Sequence, residues 1–206
     1  MENRIHPNVE IGAGAAIGFS VIVGEPPRGA KPGGLKTRIG RNATIRSHSV
    51  IYAGCTAGDN LETGHGVMIR ENNRIGDDVS IGTHTIIERD CTIADGARLH
   101  SCVFIPEFTV IEKGAWIGPG TVLTNAPYPK GKDSKQHLKG PVIEENAKIG
   151  ANCTILPGVR LGRNCLIGAG SVVTKDVEEN SVAVGNPARA IKKVSDLRYG
   201  DGEKPY

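Results

Sequence analysis

Four histidines are spaced so that they could act together. His48, His65, His84 and His100 follow one another at intervals of 17, 19 and 16 residues. Neutral imidazoles gathered on one face can accept protons or hold zinc. Glu71, Arg89, Glu107 and Asn125 recur at every eighteenth position. Any structure that repeats at 18 residues therefore stacks them in one column, read as an outward ladder at a corner. Asn125 stands apart because a polar, basic stretch begins beside it. Lys175, Arg189 and Lys192 put three cations near the C-terminal end, the kind of group that binds phosphates. Five cysteines form no CxxC pair, an odd count that points to reduced thiols and a cytoplasmic setting rather than a disulfide framework.

The elements that would position these residues follow from a period of six. Stepping by six from Ile39 to Leu123 meets fifteen residues, of which thirteen are Ile or Leu. A second run goes from Ile143 to Val173, and an opening run from Ile5 to Val23. Of the 21 isoleucines, 18 fall on these registers, far more than the sixth that scatter would put there. The position four residues on is small or β-branched, and four cysteines (Cys55, Cys91, Cys153, Cys165) share it as inward filler. Gly often follows the isoleucine, as at Gly40, Gly82 and Gly118, which suggests a need for unusual backbone angles. Six residues make a short strand and a turn, three such units close a triangular coil of 18, and coils stack at about 4.8 Å.

Composition agrees and excludes much else. Glycine reaches 28 of 206 residues while aromatics are 4 %, so an aromatic-filled globular core is not expected. A net charge of +3 gives no case for nucleic acid. No apolar run has the length of a membrane span, and no basic-then-apolar leader opens the chain. Two stretches break the register. Residues 24–38 are rich in Pro and Gly, and residues 124–142 are polar and basic; both read as loops thrown out from a rigid prism. Loops of that length are usually functional. The expected organisation is a prism over 1–185 and a C-terminal capping helix and tail over 186–206. Asn186 serves as N-cap, Pro187 as first helical residue, and Ile191, Val194 and Leu197 share one face.

The strict hexapeptide pattern resembles the hexapeptide-repeat acyltransferases. That resemblance implies an all-β, left-handed parallel β-helix, here of about eight coils. The C-terminal third is the most specific. The stretches from Ile149 to Val159, from Ile167 to Val177 and from Val184 to Lys193 resemble the acetyl-CoA-binding end of that family. The resemblance implies Ala151, Ala169, Thr174, Lys175, Arg189 and Lys192 as CoA contacts, with acetyl-CoA or another acyl-CoA as co-substrate and a homotrimer whose active sites lie between subunits.

For the acceptor, the stretch from Trp116 to Pro129 resembles the N-acetyltransferases of nucleotide-linked amino sugars. In the related O-acetyltransferases a histidine base precedes a proline; Tyr128 stands at that place here. The resemblance implies Asn125 at the reaction centre, Glu107 as proton acceptor or sugar ligand, and His84 and His100 from a neighbouring subunit. The expected reaction is acyl transfer to the amine of a nucleotide-linked amino sugar by direct attack on the thioester. The alternatives are an O-acetyltransferase with a histidine base, a γ-carbonic-anhydrase-like metalloenzyme and a non-catalytic trimeric scaffold. The histidine intervals do not resemble the close pair of the carbonic anhydrases, so no metal is expected.

Overall fold

A computed structural model describes residues 2–206. The inward Ile and Leu residues end two- or three-residue strands, and each strand pairs in parallel with the one a coil away. Met68 and Ile69 pair with Ile86 and Ile87, for example, and these pair with Phe104 and Ile105. The strands gather into three sheets, the faces of a left-handed prism. Face 1 runs from Arg4–Ile5 to Val172–Val173, face 2 from Val9–Ile11 to Arg160–Leu161, and face 3 from Ala16–Ile17 to Ser181–Gly185. Eight coils carry a strand on every face, and a ninth has only a single bridge, Leu161 to Val177, on face 2.

The core is one file of side chains along the axis. Ile45, Ile69, Ile87, Ile105, Ile117, Leu123, Ile149 and Ile167 are all fully buried. Cys55, Cys91, Cys153 and Cys165 are buried at the small positions. Burial pushes the thiols of Cys55, Cys91 and Cys165 up to about 12, which keeps them protonated and inert. Among the described residues no buried side-chain nitrogen or oxygen lacks a partner. Asn73 shows how: its Nδ2 donates to the carbonyls of Arg70 and Glu88, and its Oδ1 accepts from the Cys91 amide at 2.7 Å.

The corners correct one expectation. The glycines after the isoleucines do not take left-handed angles. They are small because neighbouring coils nearly touch there: a Cβ on Gly118 would lie 2.7 Å from the Ala151 nitrogen, the Gly150 carbonyl carbon and the Ile149 oxygen. The left-handed residue is the third after each inward residue, at φ from 55° to 85°. Asn, Asp and Gly fill most of these places, as their tolerance of that region requires. His48 and His84 occupy two of them.

Strand register measures the two excursions. Val9 pairs with Thr37 and Val110 with Val142, separations of 28 and 32 residues instead of 18. The excursions therefore insert ten and fourteen residues into otherwise regular coils. The second contains one 3₁₀ turn, Ser134–His137.

The C-terminal capping helix does not form. Ser181–Gly185 adds a parallel strand to face 3 and turns at Asn186 and Pro187 into an antiparallel mate, Ala188–Lys193. Beyond it Val194–Asp196 makes one 3₁₀ turn. The edge of face 3 offers unpaired amides and carbonyls that a strand satisfies and a helix does not. The proposed helical face is absent as well, since Ile191 is 57 % exposed. A boundary at 185/186 falls within the hairpin turn. The tail is ordered by contacts: the Tyr199 amide donates to the Glu203 carbonyl, and Lys148 Nζ stands 4.3 Å from the centre of the Tyr206 ring.

Candidate active site

The residues singled out from the sequence divide between two corners of the prism. The corner between faces 1 and 2 carries Glu107, Asn125, Thr174 and Lys175. The corner between faces 3 and 1 carries His84, His100, Ala151 and Ala169. Face 1 lies between them.

At the first corner, sheet register stacks Leu123 over Ile155 and Ile155 over Val173. Two residues further along each strand, Asn125, Pro157 and Lys175 therefore share one column, with Glu107 in the coil before. The column is not an outward ladder. Asn125 is 9 % exposed and Glu71 8 %. Asn125 Nδ2 donates to Glu107 Oε2 at 2.6 Å, and its backbone oxygen accepts from the Lys139 amide at 2.8 Å. The second excursion leaves the prism at Asn125 and returns beside it. The carboxylate fixes which way the amide faces: Nδ2 is held by Glu107, and Oδ1 remains as a solvent-accessible acceptor.

Above this pair lies a charged cluster not foreseen from the sequence. Arg70 bridges Glu71 (Nε to Oε2, 2.9 Å) and Glu88 (Nη1 to Oε2, 3.4 Å), and its guanidinium stacks over Tyr52. Arg89 lies over Phe108 and pairs with Asp90. Burial pushes the Glu88 carboxyl above its ordinary value; Arg70 pulls it back, and Glu107 and Glu71 push it up again. A carboxyl whose folded pKa is raised binds its proton more tightly folded than unfolded, so its ionised form lowers stability above the ordinary carboxylate range. The penalty is relieved as pH falls through that folded value. Glu88→Gln, which leaves Arg70 paired with Glu71, is therefore expected to raise the melting temperature near pH 7 and to change it little near pH 4. Scanning calorimetry at the two pH values checks this.

At the second corner His84 is exposed, its ring lying over Gly66. His100 packs edge-on against Trp116, ring centres 4.6 Å apart, and lines a groove of about 220 Å³ with Arg46, Glu62 and Arg98. Burial, then Arg98, lowers the His100 pKa, which favours the neutral imidazole that could accept a proton. His48 stands against Phe19 and His65 is exposed. Among the described residues no group of three or more His, Cys, Asp or Glu side chains is placed to hold a metal ion.

The expected CoA contacts are also distributed. Lys175 and Arg189 line one cleft of about 400 Å³, together with Asp176 and Glu178. Lys192 lies outside that lining, exposed on the last strand. Ala151 and Ala169 sit one coil apart at the other corner, just beyond Ile149 and Ile167.

Sequence comparisons place the chain among known proteins. Residues 140–175 match the family model described as bacterial transferase hexapeptide (six repeats). A galactoside O-acetyltransferase of Lactococcus lactis is 43 % identical over 94 residues, 42 % of this chain and 45 % of that protein. A 2,3,4,5-tetrahydropyridine-2,6-dicarboxylate N-acetyltransferase of Staphylococcus aureus is 36 % identical over 86 residues, 42 % of this chain and 34 % of that protein. The chain thus spans under half the length of these curated relatives. Among solved structures, a hexapeptide-repeat acetyltransferase of Vibrio cholerae complexed with acetyl coenzyme A is 28 % identical, with a TM-score of 0.39 over 63 % of this chain and 69 % of that chain. A GDP-perosamine N-acetyl transferase of Caulobacter crescentus, with CoA and GDP-perosamine, is 18 % identical, with a TM-score of 0.39 over 93 % of this chain and 57 % of that chain. At such scores these likenesses add nothing to a fold derived from the chain's own strand pairing. From its six-residue period, its three-faced prism and the match over 140–175, the chain is a hexapeptide-repeat β-helix protein whose C-terminal third carries the repeat of the bacterial transferases.

Proposed function

We propose that the chain is an acyl-CoA-dependent acyltransferase, acetyl-CoA being the default donor, that acts on the amine of a nucleotide-linked amino sugar. The observation that carries this reading is the Glu107–Asn125 pair at the corner where the second excursion departs. With Nδ2 held by the carboxylate, Asn125 Oδ1 can accept a hydrogen bond from the acceptor amine and aim the nitrogen lone pair at the thioester carbonyl. The amine nitrogen forms a bond to the carbonyl carbon, and the tetrahedral oxyanion collapses with cleavage of the carbon–sulfur bond. The proton lost from nitrogen passes to Glu107 and on to the departing CoA thiolate. A neutral amine needs no strong base, and Glu107 suffices as a relay. Lys175 and Arg189 would hold donor phosphates, and Ala151, Ala169, Thr174 and Lys192 remain as further donor contacts. A homotrimer in which the corner between faces 3 and 1 of one subunit approaches the corner between faces 1 and 2 of another would unite both halves of the site.

The second reading is O-acetyl transfer. It is favoured by the relationship to the galactoside O-acetyltransferase and by a neutral His100, with His84 as the other candidate base. One assay separates the two. CoA thiol release is measured with acetyl-CoA and UDP-, dTDP- or GDP-linked amino sugars, with the matching hydroxyl sugars as controls. Release only with amines, insensitive to His84→Ala and His100→Ala in its chemical step, is the expected result. Release only with hydroxyl acceptors, abolished by either histidine variant, would replace N-acyl by O-acyl transfer. No CoA binding at all would overturn acyl transfer itself.

A further inference from the structure

The second excursion is a built element with its own cavity. Its backbone is knotted by hydrogen bonds: Gly131 donates to Tyr128, Ser134 to Gly131 and Gln136 to Asp133. Lys130 and Asp133 both take left-handed angles, φ 60° and 54°. For lysine this is an uncommon conformation that surrounding structure must hold. Both ends are tied to the prism, since the Lys139 amide donates to Asn125 and the Lys139 carbonyl accepts from Gly158. Between loop and prism lies a cavity of about 470 Å³, within the roughly 300–1,000 Å³ usual for small-molecule sites.

The lining has two kinds of surface. Pro127, Pro157 and the ring of Tyr128 are apolar, and Tyr128 is 81 % exposed. Lys132, Lys139 and His137 supply nitrogen donors. The stem of Lys139 lies against Gly158, leaving no room for a Cβ there. Residues 124–142 carry four lysines against one aspartate, so this segment alone matches the +3 charge of the whole chain. Among the described residues the lysines in ion pairs are Lys36 and Lys193, and the four lysines of the loop keep their charges for something else. A flat apolar wall beside convergent cations suits a ring with phosphates attached: the base stacks and the phosphates are held by ammonium groups.

We infer that this cavity is a subsite for a nucleoside phosphate, joined to the reaction corner through the Lys139–Asn125 hydrogen bond. The inference rests on the acyl-transfer reading only for what the bound nucleotide does. Two sources share the chemistry: the nucleoside diphosphate of a sugar acceptor, and the adenosine phosphate end of CoA.

Calorimetric titration of the full chain with UDP, GDP, CoA and inorganic pyrophosphate tests the inference, with the double variant Lys132→Ala/Lys139→Ala and with Tyr128→Leu. The expected result is that at least one nucleoside phosphate binds more tightly than pyrophosphate. The double lysine variant then weakens it by about tenfold or more, and Tyr128→Leu erases the preference over pyrophosphate. Losses confined to UDP or GDP assign the subsite to the acceptor, and losses confined to CoA assign it to the donor. Affinities unchanged in both variants, or no nucleoside phosphate bound by the unaltered chain, overturn the inference. Failure of thiol release while nucleotide binding persists and falls in the variants would remove the acyl-transfer reading and leave the subsite standing. Thiol release with unchanged KM for both substrates in the variants would do the reverse.

Discussion

Asn125→Ala is expected to lower kcat by about 100-fold while CoA affinity stays within about twofold, the size of loss seen when one positioned polar group leaves a reaction centre. The side chain lost is nearly buried and held in a single orientation by Glu107 at 2.6 Å. Glu107 then discriminates its own two roles. Glu107→Gln keeps an oxygen that can accept from Asn125 Nδ2 but cannot carry a proton. Glu107→Ala removes both. If the carboxylate only positions the asparagine, the glutamine variant should retain most activity and the alanine variant should resemble Asn125→Ala. If it also relays the proton, both should be slow and the glutamine variant should lose its dependence on pH in the carboxylate range. Single-turnover measurement of acyl transfer, with CoA binding followed separately, distinguishes these outcomes. Full turnover in Asn125→Ala with CoA still bound would remove this residue from the reaction.

Gly118→Ala should produce the largest loss of stability from the smallest change of side chain, about 3 kcal/mol, the upper part of the range for overpacking. The added methyl would sit 2.7 Å from three backbone atoms of the next coil. Backbone cannot turn aside as a side-chain tip can, so the coils must separate and lengthen the hydrogen bond from the Gly118 amide to the Ile149 carbonyl, now 2.7 Å. For a chain of this size the melting temperature should fall by roughly 6–12 °C. Alanine at Gly170, where nothing stands within 4 Å of the added atom but φ is 71°, should cost less, about 1 kcal/mol. Comparing the two by thermal unfolding separates crowding from backbone angle. Equal effects would mean that the corners tolerate closer approach than the packing implies.

The prism could be read from the sequence because its cause is local and repeated. Ile at every sixth position has to enter a narrow interior, and the small residues four places on mark where that interior tapers. The identity of the corner residue was open to inspection but escaped it: Asn42, Asn60, Asp78 and Gly96 recur with the same period as the isoleucines, and theirs are the left-handed angles. The terminal hairpin was misjudged for a different reason. Asn186, Pro187 and the spacing of Ile191, Val194 and Leu197 satisfy helical rules within the segment, while the deciding partner, the edge strand at Leu166 and Ile167, is nearly twenty residues away. Asn125 and Glu107 could be placed in one column from the 18-residue repeat. The Arg70 cluster could not be, because Arg70 and Glu71 are adjacent and their pairing depends on how side chains leave a bend. The same holds for the loop cavity, where Lys132 and His137 meet Pro157 across a break in the period.

Because residues one coil apart fall on the same line, Asn125 and Lys175 are separated by two steps of a ruler, about 10 Å at the usual strand spacing. Distance along this corner is available only in whole steps. Adding or removing 18 residues between them would slide the cation by about 4.8 Å without rotating it, whereas a change of six would carry it to another face altogether. The span between the group that aims the nucleophile and the group that would anchor the donor is thus an integer, and the reach of the donor must match that integer.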